Sequence, residues 1–317
     1  MSCSRFLRGF GSATARSKHC RVCAAYTIAC LFAVVMSAED QPKKYDVKMA
    51  WKTAVEGHQS NLSKDDSQAT MMKVVNSDGK ILTQQEDNGS RSFAAVEVIS
   101  KIKDGKPAVC RWTFSKATQH REDQDVPFAF QGRTVVVTKD PVGKSHFAFD
   151  DGNPVSTEDA TILSGLWAYD EHEPGEPSAE EVFEPKRRVA VGEQWTPDIA
   201  KLVQLLKLGD FIDLKRSTAK ATLTSTEMRD GVEFGHIKMV MELWATKIGP
   251  MQLDNPILFK AEVDTDTCID GAQPDHTMNL TVYASGYSAA SVDSPPRKVQ
   301  LSLNLDGKVQ TREKTIK

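Results

Sequence analysis

The sequence predicts a mostly β protein: a β-rich α+β chain built on a curved antiparallel sheet or open barrel, with one or two helices from its central segment packed on that sheet. Three observations predict it. Apolar and polar residues alternate in short runs toward both ends of the chain, the period-two pattern of strands with one buried face. The dipeptide Asp-Gly occurs six times, beginning at Asp78, Asp104, Asp151, Asp230, Asp270 and Asp306. Gly reaches positive φ freely and Asp tolerates it, so these sites are expected to be hairpin turns joining antiparallel neighbours. Only between residues 156 and 212 does the apolar spacing become helical.

The first 38 residues read as a signal peptide. Arg5, Arg8, Arg16, Lys18 and Arg21 come without any acid, an apolar run follows over residues 22–35, and Ser37 and Ala38 are small. The run is shorter than the ~20 residues a bilayer-spanning helix needs. A secreted or periplasmic protein is therefore expected, with no stable membrane span after processing, and Cys20 and Cys23 of "CRVC" leave with the leader instead of forming a redox or metal centre. Processing would leave 279 of the 317 residues and, with five basic residues fewer, take the formal charge from −3 to −8. An acidic chain whose one basic run is "KRR" at 186–188 offers no cationic surface for nucleic acid.

Residues 39–155 form the N-terminal β-rich half. Tyr45, Val47, Met49 and Trp51 alternate with Asp46, Lys48, Ala50 and Lys52, and "FAAVEVISKI", "AVCRWTF", "RTVVVT" and "HFAFD" follow. The central segment, 156–212, opens with a capping Ser156 ahead of Ile162, Leu163, Leu166 and Trp167. A second helix is expected over 198–208, capped by Thr196, with Pro197 in its first turn and Gly209 at its exit. Ile199, Leu202, Val203, Leu206 and Leu208 give it one broad apolar side. Between the helices, "EHEPGEPSAEEVFEPKRR" reads as a polar, Pro-rich surface loop. The C-terminal β-rich half, 213–317, carries "GHIKMVMELWA", "MNLTVYASGY" and "KVQLSLNL". The pieces "ATMMKVVNSDG" and "ATLTSTEMRDG" share Ala-Thr and Asp-Gly at equal spacing, so the two halves are possible copies of one β unit.

Motifs for chemistry are missing. The six histidines beyond the leader, His58, His120, His146, His172, His236 and His276, have no zinc-binding spacing. "GYSAA" at Gly286 lacks the second glycine of a nucleophile elbow, and no phosphate loop or dinucleotide fingerprint occurs. Asp264, Asp266, Asp270 and Asp275 fail the EF-hand pattern, with Ile269 at the sixth place and Asp275 at the twelfth. No catalytic residue, metal site or cofactor is assigned. Cys110 and Cys268 are a possible disulfide: an even count in an oxidising compartment favours the bond, whereas strand phase puts Cys110 with Trp112 and Phe114, and Cys268 with Asp264 and Asp266.

The run Val189, Val191, Gly192 and Trp195 in "FEPKRRVAVGEQWTPD", followed by a short helix and the strand opening "STAKATL", resembles uncharacterised secreted β-rich bacterial proteins of the planctomycete type. The likeness spans about residues 163–244. It implies location and a β-rich fold, and no activity.

The function expected from the sequence is therefore non-catalytic: binding of an apolar ligand or a cell-envelope partner. Trp195, Ile199, Leu202, Val203 and Leu206 are the candidate cavity-lining residues, on a helix that either closes the core or acts as a lid. The alternative is a hydrolase with a site of scattered carboxylates and histidines.

Overall fold

The computed structural model describes residues 42–48, 54–121, 124–140, 144–166, 175–293 and 296–316. The expected leader, Met49, Trp51, Trp167 and His172 lie outside them. The N-terminal half supplies β1 (Lys44–Tyr45), β2 (Gln59–Asn76), β3 (Ile81–Lys103), β4 (Lys106–Arg121), β5 (Gln124–Pro127), β6 (Thr134–Lys139) and β7 (Ser145–Phe149). The centre supplies α1 (Thr157–Ser164), α2 (Ala179–Phe183), β8 (Val189–Ala190), β9 (Gln194–Trp195) and α3 (Ile199–Leu205). Then come β10 (Thr218–Arg229), β11 (Val232–Ile248), β12 (Met251–Cys268), β13 (His276–Asp293) and β14 (Pro296–Thr315).

Among the described residues, twelve strands form one open antiparallel sheet in the order β7-β6-β4-β3-β2-β14-β13-β12-β11-β10-β9, with β5 beside β4. β1 and β8 pair separately. The sheet crosses from one half of the chain to the other where β14 pairs with β2. Tight turns account for most of its order. Asp104-Gly105 and Asp230-Gly231 hold positive φ at both residues, as two-residue hairpins demand, and Gly79 does so between β2 and β3.

Asp306-Gly307 departs from that expectation. It lies inside β14, where Gly307 pairs with Val282 on one side and Gln68 on the other. Two long neighbouring strands continue past it, so the ladder holds the dipeptide extended.

In an antiparallel ladder, directly opposed residues share a face. Rows read across the register thus define one apolar face, on which all three core clusters and the helices lie. The first cluster joins Phe93, Trp112, Phe114, Phe130 and Val135 to Leu163 and Leu166 at α1. The second joins Ala221, Leu223, Ile237 and Met239 to Val182 of α2, Trp195 and Leu202 of α3. The third, at the far ends of the long strands, contains Val74, Leu253, Ile257, Leu301 and Leu303. There a Cβ on Gly286 would stand 2.9 Å from Ile257 Cγ1, so the glycine makes room for Ile257.

The helices differ from expectation in two ways. α1 is capped by Ser156, which accepts from Asp159 N–H, as read from the sequence. α3 begins later than expected: Asp198, not Thr196, is its cap, accepting from Lys201 N–H, and Leu206 already ends it. The Pro-rich connection contains α2, which the sequence reading missed. Ser178 caps it, Glu180 and Glu181 favour its positive end, and Val182 anchors it in the core. The two Ala-Thr segments both precede a hairpin, but Ala69 is exposed while Ala221 is fully buried.

Candidate functional site

Across the middle of the apolar face the side chains change character from strand to strand. One row runs Met239, Val263, Leu280, Val309, Asp66, Arg91 from β11 to β3. The next runs Met241, Ala261, Val282, Gly307, Gln68, Gly89. On β12 to β14, Phe259, Ala261, Leu280, Val282, Leu305 and Val309 are only half-buried, an aliphatic and aromatic floor between the second and third clusters. On β2 and β3 the same face turns into a charged strip. Arg91 Nε bonds Asp66 Oδ1 at 2.9 Å, and Lys64 Nζ donates to the Gly165 carbonyl at 2.6 Å, tying the end of α1 to the sheet. Burial holds the Lys64 ammonium below its ordinary pKa. Between floor and strip stands Thr311, opposite Met278 and Lys64, its hydroxyl buried and without a partner among the described residues.

A buried acid cluster lies two rows further along. Glu97 is only 1% exposed, sits opposite Ser60 and Trp112, and accepts from Trp112 Nε1 at 2.8 Å. The Cys110 thiol also bonds Glu97; burial first and that carboxylate second push its pKa up. Glu313 lies diagonally across β2, opposite His276. Burial, and then repulsion from Glu97, raise its pKa to about 8, against a hydrogen bond from Ser60 that favours ionisation. At neutral pH Glu313 is therefore a neutral acid, and its 3.9 Å approach to His276 Nδ1 is no ion pair. His58 Nε2 stands 3.1 Å from Ser60 Oγ, and burial lowers the imidazole pKa. Ser60 has the neighbours of a hydrolytic serine, yet it is fully buried, with its hydroxyl held between Glu313 and His58.

Glu313 also reaches a cleft of about 620 Å³ at this end of the sheet, with Asp275, His276, Arg229, Arg312 and Lys314 on its walls. Most of these groups are engaged. Asp275 accepts from Thr315 N–H and Oγ1, and Arg229 pairs with Glu227 and Asp266.

No family model matches the chain, and no curated protein is similar to it.

The residues singled out from the sequence fall in different places. Leu202 and Val203 are buried, and Leu202 joins the second cluster with Trp195, whose Nε1 donates to the Phe183 carbonyl. Ile199 packs at that cluster's margin. Leu206, the C-cap of α3, is 52% exposed because the helix ends before it can turn inward. Gly192 takes positive φ in the turn between β8 and β9 and donates to the Leu223 carbonyl, which ties that turn to β10.

Cys110 and Cys268 are both free thiols, contrary to the possible disulfide. Cys110 points from β4 to Glu97 on the apolar face. Cys268 lies five strands away, about 24 Å along the sheet, and bonds Asp270 on the other phase of β12. Ser288 of "GYSAA" is fully buried, accepting from Asn255 N–H and donating to the Ala289 carbonyl. The sequence reading missed Ser60, Glu97, Thr311 and Glu313. Their one trace was polar residues on the apolar phase of "FAAVEVISKI" and of the last strand.

Proposed function

We propose that this chain is an exported, non-catalytic binding protein that takes an amphipathic ligand on the apolar face of its sheet. The apolar part of the ligand lies along the floor of β12 to β14, and its polar end meets the strip of Lys64, Asp66 and Arg91. The observation that carries the reading is the junction between them. Among the described residues Thr311 keeps a buried hydroxyl with no partner, beside Lys64 and facing an incompletely covered aliphatic floor. Such a group costs about 1–3 kcal/mol when left unsatisfied, and the polar end of a ligand would relieve that cost. Export rests on the basic, apolar and small residues of the first 38 positions and on the likeness of the Val189 to Trp195 run to secreted proteins.

Titration with a fluorescent long-chain fatty acid tests this. Saturable uptake is expected, with Leu280→Asn weakening it at least about tenfold through lost apolar contact. Thr311→Val should leave the fold as stable or more so while weakening uptake. A chain that takes up no probe, or a Thr311→Val protein that binds as well as the natural one, would refute the reading. The hydrolase alternative has one observation in its favour, a neutral Glu313 carboxyl at the wall of a cleft, poised as a proton donor. It requires a hydrolytic activity that Glu313→Gln abolishes.

A further inference from the structure

The opposite, polar face of the sheet carries a separate basic hollow. Arg312 and Lys314 project from β14 on this face. The register sets Arg312 opposite Ser63 and Lys314 opposite Asn61 on β2. Beyond Ser63 comes Ala94 of β3, and beyond Ala94 comes Lys116 of β4. Two short side chains in one row, Ser63 and Ala94, leave a depression between longer neighbours. A β-bulge completes the rim: Ala95 pairs with Phe114 and Ala94 with Lys116, so Ser115 is left over between them. Bulges of this kind re-aim a side chain, and the Ser115 hydroxyl stands at the edge of the depression, 3.3 Å from the Ala94 carbonyl. The space is about 360 Å³, bounded by Asn61, Ser63, Ala94, Ser115, Arg312 and Lys314.

Its electrostatics are unbalanced. Some exposed cations of this chain sit against carboxylates: Arg229 on Asp266, Arg133 on Asp151, Lys298 on Asp254. Arg312, Lys314 and Lys116 make no ion pair and no side-chain hydrogen bond among the described residues. Of the nearby carboxylates, Asp65 accepts from the Ser92 hydroxyl, Asp66 lies on the apolar phase of β2 and pairs with Arg91, Asp266 pairs with Arg229, and Asp275 accepts from Thr315. Two like charges two residues apart on one strand, about 7 Å, repel each other, and Lys116 stands in the same row three strands over, outside the lining of the hollow. What would relieve this arrangement is an anion small enough to enter. Around it stand a guanidinium able to bind two oxygens at once, an ammonium as a point charge, and the hydroxyl and amide donors of Ser63 and Asn61; the Ser115 hydroxyl, which donates to the Ala94 carbonyl, would have to turn from it to join them.

We propose that this hollow is a binding site for a tetrahedral oxyanion, phosphate or sulfate, either free or as the charged group of a small ligand. The site is independent of the apolar face and stands or falls apart from the function proposed above.

Inorganic phosphate and, separately, inorganic sulfate are titrated into the isotope-labelled full chain at ionic strength held constant with chloride. Saturable amide shifts at Ser63, Ala94, Ser115 and Arg312 are expected. Saturation by both anions identifies a general oxyanion site, and saturation by one identifies its chemistry. The double variant Arg312→Ala/Lys314→Ala, at exposed positions, should weaken binding at least about tenfold. Lys116→Ala, on a different strand, should weaken it less. Shifts no larger than chloride produces, or saturable binding unchanged in the double variant and in Lys116→Ala, would overturn the proposal.

Discussion

On the β2 to β7 side, the core beneath α1 is aromatic. Phe93, Phe128 and Phe130 stack with centroids 5.3 to 6.3 Å apart, and Trp112 meets Phe114 edge-on. On the β9 to β13 side the core is mainly aliphatic and thioether, with Leu223, Ile237, Met239, Met241 and Val263 around Trp195, and Tyr45 and Phe183 at its margin. Each aromatic side chain buries roughly 150–250 Å², so one eight-residue helix suffices to close the first core. The second requires α2 and α3 together. The difference extends to polar groups. An indole N–H reaches Glu97 inside the aromatic core, whereas the indole N–H of the aliphatic core is spent on a backbone carbonyl. A buried acid is thus affordable on one side of the sheet only, next to a donor already fixed by ring packing.

That contrast can be broken experimentally. The largest effect is expected at Trp112→Ala, which removes roughly 3–5 kcal/mol of packing and also the donor to Glu97. In urea unfolding it should cost more than Leu202→Ala in the other core. Equal losses would mean that the indole contributes volume alone.

Glu313 sharpens the comparison, because it lies between the cores. Folded, it keeps its proton to about pH 8, and unfolded it releases it near 4.5. Between these values the unfolded state binds fewer protons, so stability falls as pH rises through the window and levels off above it. By pH 7 the loss is roughly 3 kcal/mol. Glu313→Gln should abolish the slope and melt higher than the natural chain at pH 8. Identical pH profiles for the two proteins would show that the carboxyl is not held neutral.

The smallest effect concerns α3. Leu202→Ala should cost roughly 2–5 kcal/mol, whereas Leu206→Ala, at the exposed end of the helix, should stay within about 0.5 kcal/mol. A large loss at Leu206 would mean that something covers it in solution.

What could be read from the sequence follows the same line between covered and uncovered surface. Strands with one face under a core, such as the second half of β3, β4, β6 and β11, alternate clearly and were found. β2 and the first half of β3 are largely uncovered over residues 65–71 and 81–88, where even Met71, Ile81 and Leu82 are exposed, and they show no period. β12 was hidden by Asn255 and Pro256, which interrupt its ladder with β11 between Ala245 and Lys247. The helices were legible from Ser156 and from the spacing of Leu202 and Val203. α2 was not, since five residues are too few to show a period and its Ser178-Glu181 cap was lost among prolines. The acid cluster was illegible for a different reason. Ser60, Glu97 and Glu313 lie far apart in the chain, and register alone brings them together.

The pairing of β14 with β2 also bears on how this molecule comes to be folded. Residues 299–315 lie along residues 60–76, a separation of more than two hundred residues that ranks among the most non-local contacts a chain of this length can make. Closing so long a loop costs conformational entropy before any ladder bond repays it, and topologies dominated by such pairings fold slowly. Until β14 emerges, β2 and β13 each present a bare edge to solvent, open to pairing with other chains. On the β2 edge the exposed polar side chains of Asp65, Ser67 and Gln68 guard against that encounter. Closure of the sheet thus waits on β14, and a chain interrupted before residue 299 would retain two separate half-sheets with unprotected edges.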